Sequence, residues 1–460
     1  MNAAEASKAL LLLILATGAY AGLRLLQVRL KPEPELVRKL FHISGGALAL
    51  LLPWLFDRMA PVLVLGVVVA AALVALRVVP KLRSGFGQVL FGVERQTVGE
   101  LCYLAGVCLL FGLADNDKLL YSVPLLILTF ADTMAALIGE QYGKLPLDMS
   151  GDRKSYEGVL AFFLSAFFCV HVPVLLWGGA ERLESLLIGI DLSILTMMAE
   201  AAAWWGLDNF IIPVWGYMLL KSLLKMNAAE LAAHLAFVLT LGLVLRAWRR
   251  RTTLGDDALF GATLWGYVLW AVGGWRWVLP PLIQLFLFAA TTAKDPVDRP
   301  RVFRFPVVLS QIAGAFFWLL VYRQTEAQAV FLPFTACFGA NLAIIALVRH
   351  ARLEPEVPWR KTLSRSVAEG MLVVVPSVLL MRGFTPTALL DIAAGLLAVY
   401  LGAIVFRRVQ PALGSVPIDA ARWIRQSIVV VGVSPLAFGI HYGVLRGLSL
   451  ADVLNPMKLL

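Results

Sequence analysis

Charged residues are scarce in this chain, at 15% of 460 residues, whereas hydrophobic residues make up 60%. Soluble domains carry about a quarter charged residues, so this composition excludes an ordinary soluble enzyme. Mean hydropathy is +0.81, and apolar runs long enough to cross ~30 Å of hydrocarbon recur from end to end. We therefore predict an all-α polytopic integral membrane protein.

Cysteine is also rare. The four cysteines lie inside apolar runs, at Cys102, Cys108, Cys169 and Cys337. They lack the close pairing that a disulfide framework or a zinc site would show, so we interpret them as packing residues. The apolar stretch from Ala9 to Leu23 has no basic start and no clear small-residue cleavage site. We therefore interpret it as the first membrane span rather than a signal peptide.

Sixteen apolar segments are candidate spans, and because several are short we expect about 14 to 16 transmembrane helices. With sixteen spans, the loops on one side hold 29 of the 40 Lys and Arg residues. The positive-inside rule then places these loops in the cytoplasm and the N-terminus outside. The net charge of +10 follows from this topology, so we expect no nucleic-acid polymer as a partner.

A faint internal repeat divides the chain into halves of residues 1–228 and 229–460. The run from Pro124 to Asp132 has the spacing of the run from Pro333 to Asn341. RKSYEG at 153–158 is followed in the second half by RSVAEG at 365–370. Either the halves are duplicates or cytoplasmic helix ends simply look alike. In a duplication, Asn341 stands where the first half has its acid.

Asp132 is an acid within an apolar segment, which is costly in a membrane and usually functional or paired. It is followed by Gly139, Gly143 and Lys144, and then by Arg153 and Lys154. A carboxylate suits Mg²⁺, the glycines allow close backbone approach, and the bases can neutralise phosphate. The structural alternative is an ion pair for Asp132 and a Gly-x-x-x-Gly helix-packing face.

Three further clusters carry polar residues at predicted cytoplasmic helix ends. RKLFHISGG at 38–46 places Arg38 and His42 on one helix face with Lys39 beside them. VGELCY at 98–103 opens a span with Glu100. Taken singly, these are equally explained by positive-inside anchoring and by compensation of a helix dipole.

The third cluster, AEAAAWWGLDNFIIP at 199–213, brings Glu200, Asp208 and Asn209 into a short hairpin without basic residues. It suits a second metal-binding or hydroxyl-binding element. The sequence Gly-Leu-Asp-Asn is also typical of a simple turn with no role in binding.

Taken together, these elements resemble the CTP-dependent membrane lipid kinases, the phytol kinase, farnesol kinase and dolichol kinase group. The matching motifs are RKLFH at 38–42, GELCY at 99–103, ADTMAALIGEQYGK at 131–144, KSYEG at 154–158 and GLDN at 206–209. Each motif is short, but five in family order make a fairly specific signal over roughly residues 20–225.

The resemblance implies transfer of the γ-phosphate of CTP, with Mg²⁺, to the hydroxyl of a polyisoprenoid alcohol such as phytol, farnesol, geranylgeraniol, dolichol or undecaprenol. We expect a bacterial inner (plasma) membrane, and the loop-charge count places these motifs on its cytoplasmic side. The implied metal ligands are Asp132 and Asp208. The implied nucleotide-binding residues are Arg38, Lys39, Gly139, Gly143, Lys144, Arg153 and Asn209. The implied catalytic residues are Asp132, Lys154, Glu157, Glu100 and His42, and the sequence does not rank the last three as the base.

Two alternatives stay open. A CTP:phosphatidate cytidylyltransferase resembles this chain in the same region, although RKLFH and GLDN favour the kinase. A transporter or lipid flippase suits the span count, although transporter sites lie near the bilayer midplane. The second half loosely resembles the family of phytyl-phosphate kinases, through residues 251–274 and 291–301. Because FGANLAII at 338–345 matches that family poorly, we expect a degenerate or repurposed second domain.

Overall fold

The computed structural model describes residues 2–85, 87–91, 98–147, 154–203, 205–249, 252–292, 303–410, 413 and 420–445. Within these ranges the chain forms twenty α-helices and no strand; two isolated bridges pair Pro146 with Ser155 and Leu254 with Phe303. The all-α prediction is confirmed. The chain divides into two compact units, Met1–Thr240 (unit 1) and Leu241–Leu460 (unit 2). The functional roles of the predicted halves stay predictions.

Unit 1 contains twelve helices and most of a thirteenth. They are α1 (Ala3–Leu30), α2 (Pro34–Leu50), α3 (Leu52–Leu55), α4 (Met59–Val78), α5 (Pro80–Ser84), α6 (Gln88–Phe91), α7 (Gly99–Ala114), α8 (Lys118–Leu126), α9 (Asp132–Tyr142), α10 (Tyr156–Trp177), α11 (Arg182–Ala202), α12 (Asp208–Leu223) and α13 (Ala228–Trp248). A π-helical segment, Ile127–Ala131, joins α8 to α9.

Unit 2 continues from the end of α13 with seven helices. They are α14 (Asp256–Gly273), α15 (Trp275–Thr292), α16 (Phe305–Thr325), α17 (Phe331–Leu353), α18 (Trp359–Arg382), α19 (Pro386–Val409) and α20 (Ala420–Leu445). The α17 helix is the centre of this unit: it is buried from Phe331 to Val348 because α16, α18, α19 and α20 all pack against it.

Each of the sixteen predicted spans coincides with a helix. Twelve helices of the described residues, some joined across short breaks, are long and apolar enough to cross a membrane, as expected of an integral membrane protein. The other four are α7 and α12, with 16 residues each, and α14 and α15, with 18 each. The structure therefore supports twelve spans; the count of sixteen and the outside N-terminus stay predictions.

Candidate active site

Three carboxylates from three helices of unit 1 meet at one point. Asp132 begins α9, Glu200 lies in the last turn of α11, and Asp208 begins α12. One oxygen of each lies within 4.8 Å of one oxygen of both others. We call these three residues the carboxylate cluster. It joins two motifs that are far apart in the sequence, ADTMAALIG and the GLDN hairpin.

A break in regular helical bonding precedes Asp132. Pro124 lies inside α8 and lacks the N–H that a regular helix would use, and the π-helical segment begins at Ile127. Each π-helical hydrogen bond spans one more residue than an α-helical bond, which changes the direction in which the following side chains project, and such segments are frequent at functional sites. His42 Nε2 donates to the Leu128 carbonyl in this segment, at 2.9 Å. The RKLFH element therefore helps to fix the turn that presents Asp132.

The hairpin between α11 and α12 positions the other two acids. Gly206 takes a left-handed conformation with φ of 82°, which favours glycine at this point of the turn. Asn209 Nδ2 donates to the Gly99 carbonyl at 3.2 Å, and Val98 N–H donates to the Trp205 carbonyl at 3.3 Å. These two bonds attach the start of α7 to the hairpin, so the GELCY and GLDN motifs form one unit.

Two lysines hold two of the three acids. Lys39 Nζ, from α2, lies 2.7 Å from Asp132 Oδ2, and Lys154 Nζ, just before α10, lies 2.8 Å from Glu200 Oε1. Lys39 and Asp132 are both buried. The structural alternative considered for Asp132, an ion pair with a neighbouring helix, is therefore present, but it exists inside a larger charged cluster.

The cluster carries more negative than positive charge. Three carboxylates share two lysines, and Asp208 Oδ1 is buried with no hydrogen-bond partner among the described residues. Asp208 lies outside the twelve candidate spans; burial, followed by the charges of Asp132 and Glu200, raises the pKa of its carboxyl group. Crowded oxygen donors with an unsatisfied oxygen fit a hard divalent cation such as Mg²⁺. Asp132, Glu200 and Asp208 would hold it.

The two glycines predicted to bind the nucleotide, Gly139 and Gly143, lie at a helix-packing contact. A Cβ built on Gly139 would lie 3.4 Å from Gly158 Cα of α10, and one on Gly143 would lie 2.7 Å from Ser155 Oγ. The packing face considered as an alternative is therefore present. Its effect on the site is to bring the start of α10, and with it Lys154, beside α9. Nucleotide contact by either glycine stays a prediction.

The remaining predicted residues are not members of the carboxylate cluster. Arg38 donates from Nε to Glu35 at 2.9 Å. Glu157 accepts from the Leu145 N–H at 3.3 Å, Lys144 is exposed after α9, and Glu100 lies in the first turn of α7. His42 Nε2 is 3.7 Å from Asp132 Oδ2. Arg153 lies outside the described residues, and the roles predicted for all these residues stay predictions.

Sequence reasoning did not assign Glu200 a role of its own, and it missed the π-helical segment. The available signal for Glu200 was an acid in an alanine run eight residues before Asp208. The signal for the π-helical segment was Pro124, eight residues before Asp132. Neither signal predicts that carboxylate oxygens of Asp132, Glu200 and Asp208 lie within 4.8 Å of one another in the folded chain.

Acids of unit 2 are arranged differently. Asp256 is paired with Arg249 at 3.0 Å, and Glu369 is paired with Arg349 at 2.6 Å and His350 at 2.7 Å. Asp391 contacts both Arg382 and His441. Among the described residues, no group of three acids, histidines or cysteines forms in unit 2 as the carboxylate cluster does in unit 1.

Comparison with known proteins finds two lipid kinases. The chain is 28% identical over 194 residues to a phytol kinase of Synechocystis sp., which covers 40% of this chain and 78% of the relative. It is 27% identical over 200 residues to CTP-dependent diacylglycerol kinase 1 of Schizosaccharomyces pombe, which covers 39% and 89%. No family model and no solved structure matches the chain. The predicted resemblance to CTP-dependent lipid kinases is confirmed, over about two fifths of the chain.

Proposed function

We propose that unit 1 is a CTP-dependent lipid kinase that transfers the γ-phosphate of CTP to the hydroxyl of a polyisoprenoid alcohol. The observation that carries the proposal is the carboxylate cluster, with Lys39 paired to Asp132 and Lys154 paired to Glu200. Phosphoryl transfer depends mainly on positioning and on neutralisation of charge. On the predicted topology this cluster faces the cytoplasm, where nucleotide is available.

Mg²⁺, Lys39 and Lys154 have separate roles in the proposed reaction. When bound, Mg²⁺ would offset the negative charge of the phosphates and bring them to the three carboxylates. Lys39 uses two of its three donors on Asp132, on Oδ2 and on the main-chain oxygen. Its third donor has no partner among the described residues and is available for a phosphate oxygen, and Lys154 supplies a second positive charge beside Glu200.

The lipid oxygen forms a bond to the γ-phosphorus while the bond from that phosphorus to the β–γ bridging oxygen breaks, and CDP leaves. The hydroxyl proton passes to a carboxylate. Asp208 is assigned to the cation, so the predicted carboxylate acceptors of this proton are Glu100 and Glu157. Glu157 is less suited, since both of its oxygens accept from the Leu145 N–H.

Diacylglycerol is the second candidate acceptor, because one of the two kinases named above is a diacylglycerol kinase and its match is of similar length. Both acceptors offer a single hydroxyl at the membrane surface. The geometry of the carboxylate cluster favours neither of the two lipids, so an assay decides between them.

The test uses purified full-length protein with Mg²⁺ and CTP labelled in either the α- or the γ-phosphate. Phytol, farnesol, undecaprenol and diacylglycerol are offered separately. We expect γ-label, and not α-label, in one lipid product, with release of CDP. Transfer of α-label with release of pyrophosphate would instead identify a cytidylyltransferase. No transfer to any acceptor, with Asp132→Asn indistinguishable from the unaltered protein, would refute the proposal.

A further inference from the structure

The π-helical segment Ile127–Ala131 changes which groups bond to one another just before Asp132. In a regular α-helix the Asp132 N–H would donate to the Leu128 carbonyl, four residues back. Here it donates to the Ile127 carbonyl, five residues back. The Leu128 carbonyl accepts from His42 Nε2 of α2, at 2.9 Å. A side chain from another helix therefore bonds the acceptor that an α-helix would use for Asp132.

Two further contacts fit this segment to its neighbours. Thr133 Oγ1 of α9 donates to the Thr129 carbonyl at 2.7 Å, and Thr133 is buried. Gly46 of α2 packs directly on Thr129, because a Cβ built on Gly46 would overlap the Thr129 side chain. The α2 helix is thus held against the π-helical segment at two points one turn apart, His42 and Gly46.

The register of this segment decides where the Asp132 carboxylate points. Successive residues of an α-helix differ by about 100° around the axis, so a change from π to α bonding would turn α9 by roughly that angle relative to α8. The turned carboxylate would move away from Lys39 Nζ, which now lies 2.7 Å from it, and from the other two acids of the carboxylate cluster. The cluster therefore depends on the π register.

The bond to Leu128 also limits how His42 can act. A main-chain carbonyl only accepts hydrogen bonds, so His42 Nε2 carries a hydrogen and has no lone pair to offer. This is the nitrogen that lies 3.7 Å from Asp132 Oδ2. The Tyr103 ring of α7 packs edge-to-face on the His42 ring, with the ring centroids 5.0 Å apart, and supports its orientation. The nitrogen beside Asp132 is thus a hydrogen-bond donor and not a base.

We propose that His42 is a positioning residue of this site and not its general base: by donating to the Leu128 carbonyl, it keeps the π register that presents Asp132. Gly46 allows α2 to come close enough for this bond. The consequence for catalysis rests on the function proposed above, whereas the effect on the π register does not. Of the three residues that the sequence left unranked as the base, Glu100 and Glu157 remain.

Two substitutions at His42 separate the two roles. Gln offers an amide N–H donor at about the reach of His Nε2 and cannot take up a proton, whereas Leu offers no donor. Hydrogen–deuterium exchange of the purified full-length protein, followed in peptides that cover residues 127–139, reports on the π-helical segment itself. We expect exchange there to be about tenfold faster in His42→Leu, as for the loss of one buried hydrogen bond, and to stay within about twofold of the unaltered protein in His42→Gln.

Two adjacent glycines of α2 supply a matched pair. A Cβ on Gly46 would overlap Thr129, whereas one on Gly45 would meet nothing within 4 Å. Gly46→Ala should therefore speed exchange in residues 127–139, and Gly45→Ala should not. Thermal unfolding shows whether each variant is folded. If His42→Leu does not fold, Thr133→Val, which removes only the hydroxyl that bonds the Thr129 carbonyl, takes its place and should also speed exchange.

Equal exchange in His42→Leu and His42→Gln, or in the two glycine variants, would overturn the proposal. Phosphotransfer by the same samples is the second readout, and His42→Gln should recover most of the activity that His42→Leu loses. A loss of activity in folded His42→Gln as large as that in His42→Leu would identify His42 as the base and would also overturn the proposal. If the unaltered protein transfers no phosphate, the proposed function fails, and the exchange measurement alone decides the role of His42 in the π register.

Discussion

The ion pair between Lys39 and Asp132 offers the sharpest test of how the carboxylate cluster is balanced. The two groups lie 2.7 Å apart, with side-chain exposures of 6% and 10%. At an effective dielectric constant of about 20, their direct attraction is about 6 kcal/mol, and desolvation offsets most of it. Removing one partner of a buried pair leaves an uncompensated charge and costs about 3–5 kcal/mol. Lys39→Met should therefore be strongly destabilising without a cation.

The consequence for unfolding is large enough to measure. With about 2–4 °C per kcal/mol for a unit of this size, Lys39→Met should lower the Tm by roughly 10 °C in EDTA. Because a bound cation replaces the missing positive charge, saturating Mg²⁺ should restore more of the Tm in Lys39→Met than in the unaltered protein. The control is Lys225→Met, an exposed lysine of the same unit, which should leave the Tm within about 1 °C.

A double-mutant cycle completes the test. Lys39→Met with Asp132→Asn removes both charges, so the double variant should be more stable in EDTA than Lys39→Met alone. The reasoning about the cluster would be wrong if the double variant were no more stable than Lys39→Met. It would also be wrong if Mg²⁺ raised the Tm of Lys39→Met and of the unaltered protein equally.

Two other variants test the metal and the helix packing. Asp208→Asn should weaken Mn²⁺ binding at least tenfold, as measured by electron paramagnetic resonance, because it removes one of three clustered carboxylates. The control, Asp115→Asn at an exposed loop position, should leave Mn²⁺ binding unchanged. Equal binding of Mn²⁺ by the two variants would exclude Asp208 as a ligand. Gly158→Leu should destabilise unit 1 by about 1–3 kcal/mol, because a Cβ there would lie 2.8 Å from the Ala135 carbonyl oxygen. Its control in thermal unfolding is Gly18→Leu, where a Cβ would meet nothing within 4 Å. An equal Tm for the two variants would contradict the close contact at Gly158.

Helices were the part of the fold that could be predicted from the sequence. All sixteen predicted spans are helical because an apolar run of that length has few other ways to satisfy its backbone in a membrane. The short breaks were harder. One of the sixteen candidate spans predicted from the sequence covers residues 118–139 and includes the π-helical segment Ile127–Ala131. Apart from Pro124 upstream, nothing in the run LLILTFA distinguishes π from α bonding.

The candidate site was predictable as a set of residues and not as an arrangement. Asp132, Asp208, Lys39 and Lys154 were all identified as charges at helix ends. The pairing of the lysines with the acids depends on the packing of α2, α9, α10 and α11. That packing cannot be read from the sequence. The glycines show the same limit, because Gly139-x-x-x-Gly143 was compatible with phosphate binding and with helix packing. The contact with Gly158 establishes the second.

The two units differ in charge balance, and this difference bears on the second half of the chain. In unit 1, three carboxylates share two lysines and one oxygen is left without a partner, so the cluster favours an added cation. In unit 2, Asp256, Glu369 and Asp391 each have at least one basic partner. Among the described residues these acids do not cluster as the three acids of unit 1 do, so their basic partners are enough to balance them.

Asn341 is a further example of the difference in charge balance between the two units. It occupies the position that a duplication would align with Asp132, and its amide donates to the Gln311 carbonyl at 2.9 Å and accepts from Gln426 Nε2 at 2.9 Å. This network is uncharged and lies on α17, the most deeply buried helix of unit 2. An amide here keeps both of its bonds without the desolvation cost of a carboxylate. Restoring an acid at this position would therefore create an unpaired buried charge rather than a second carboxylate cluster.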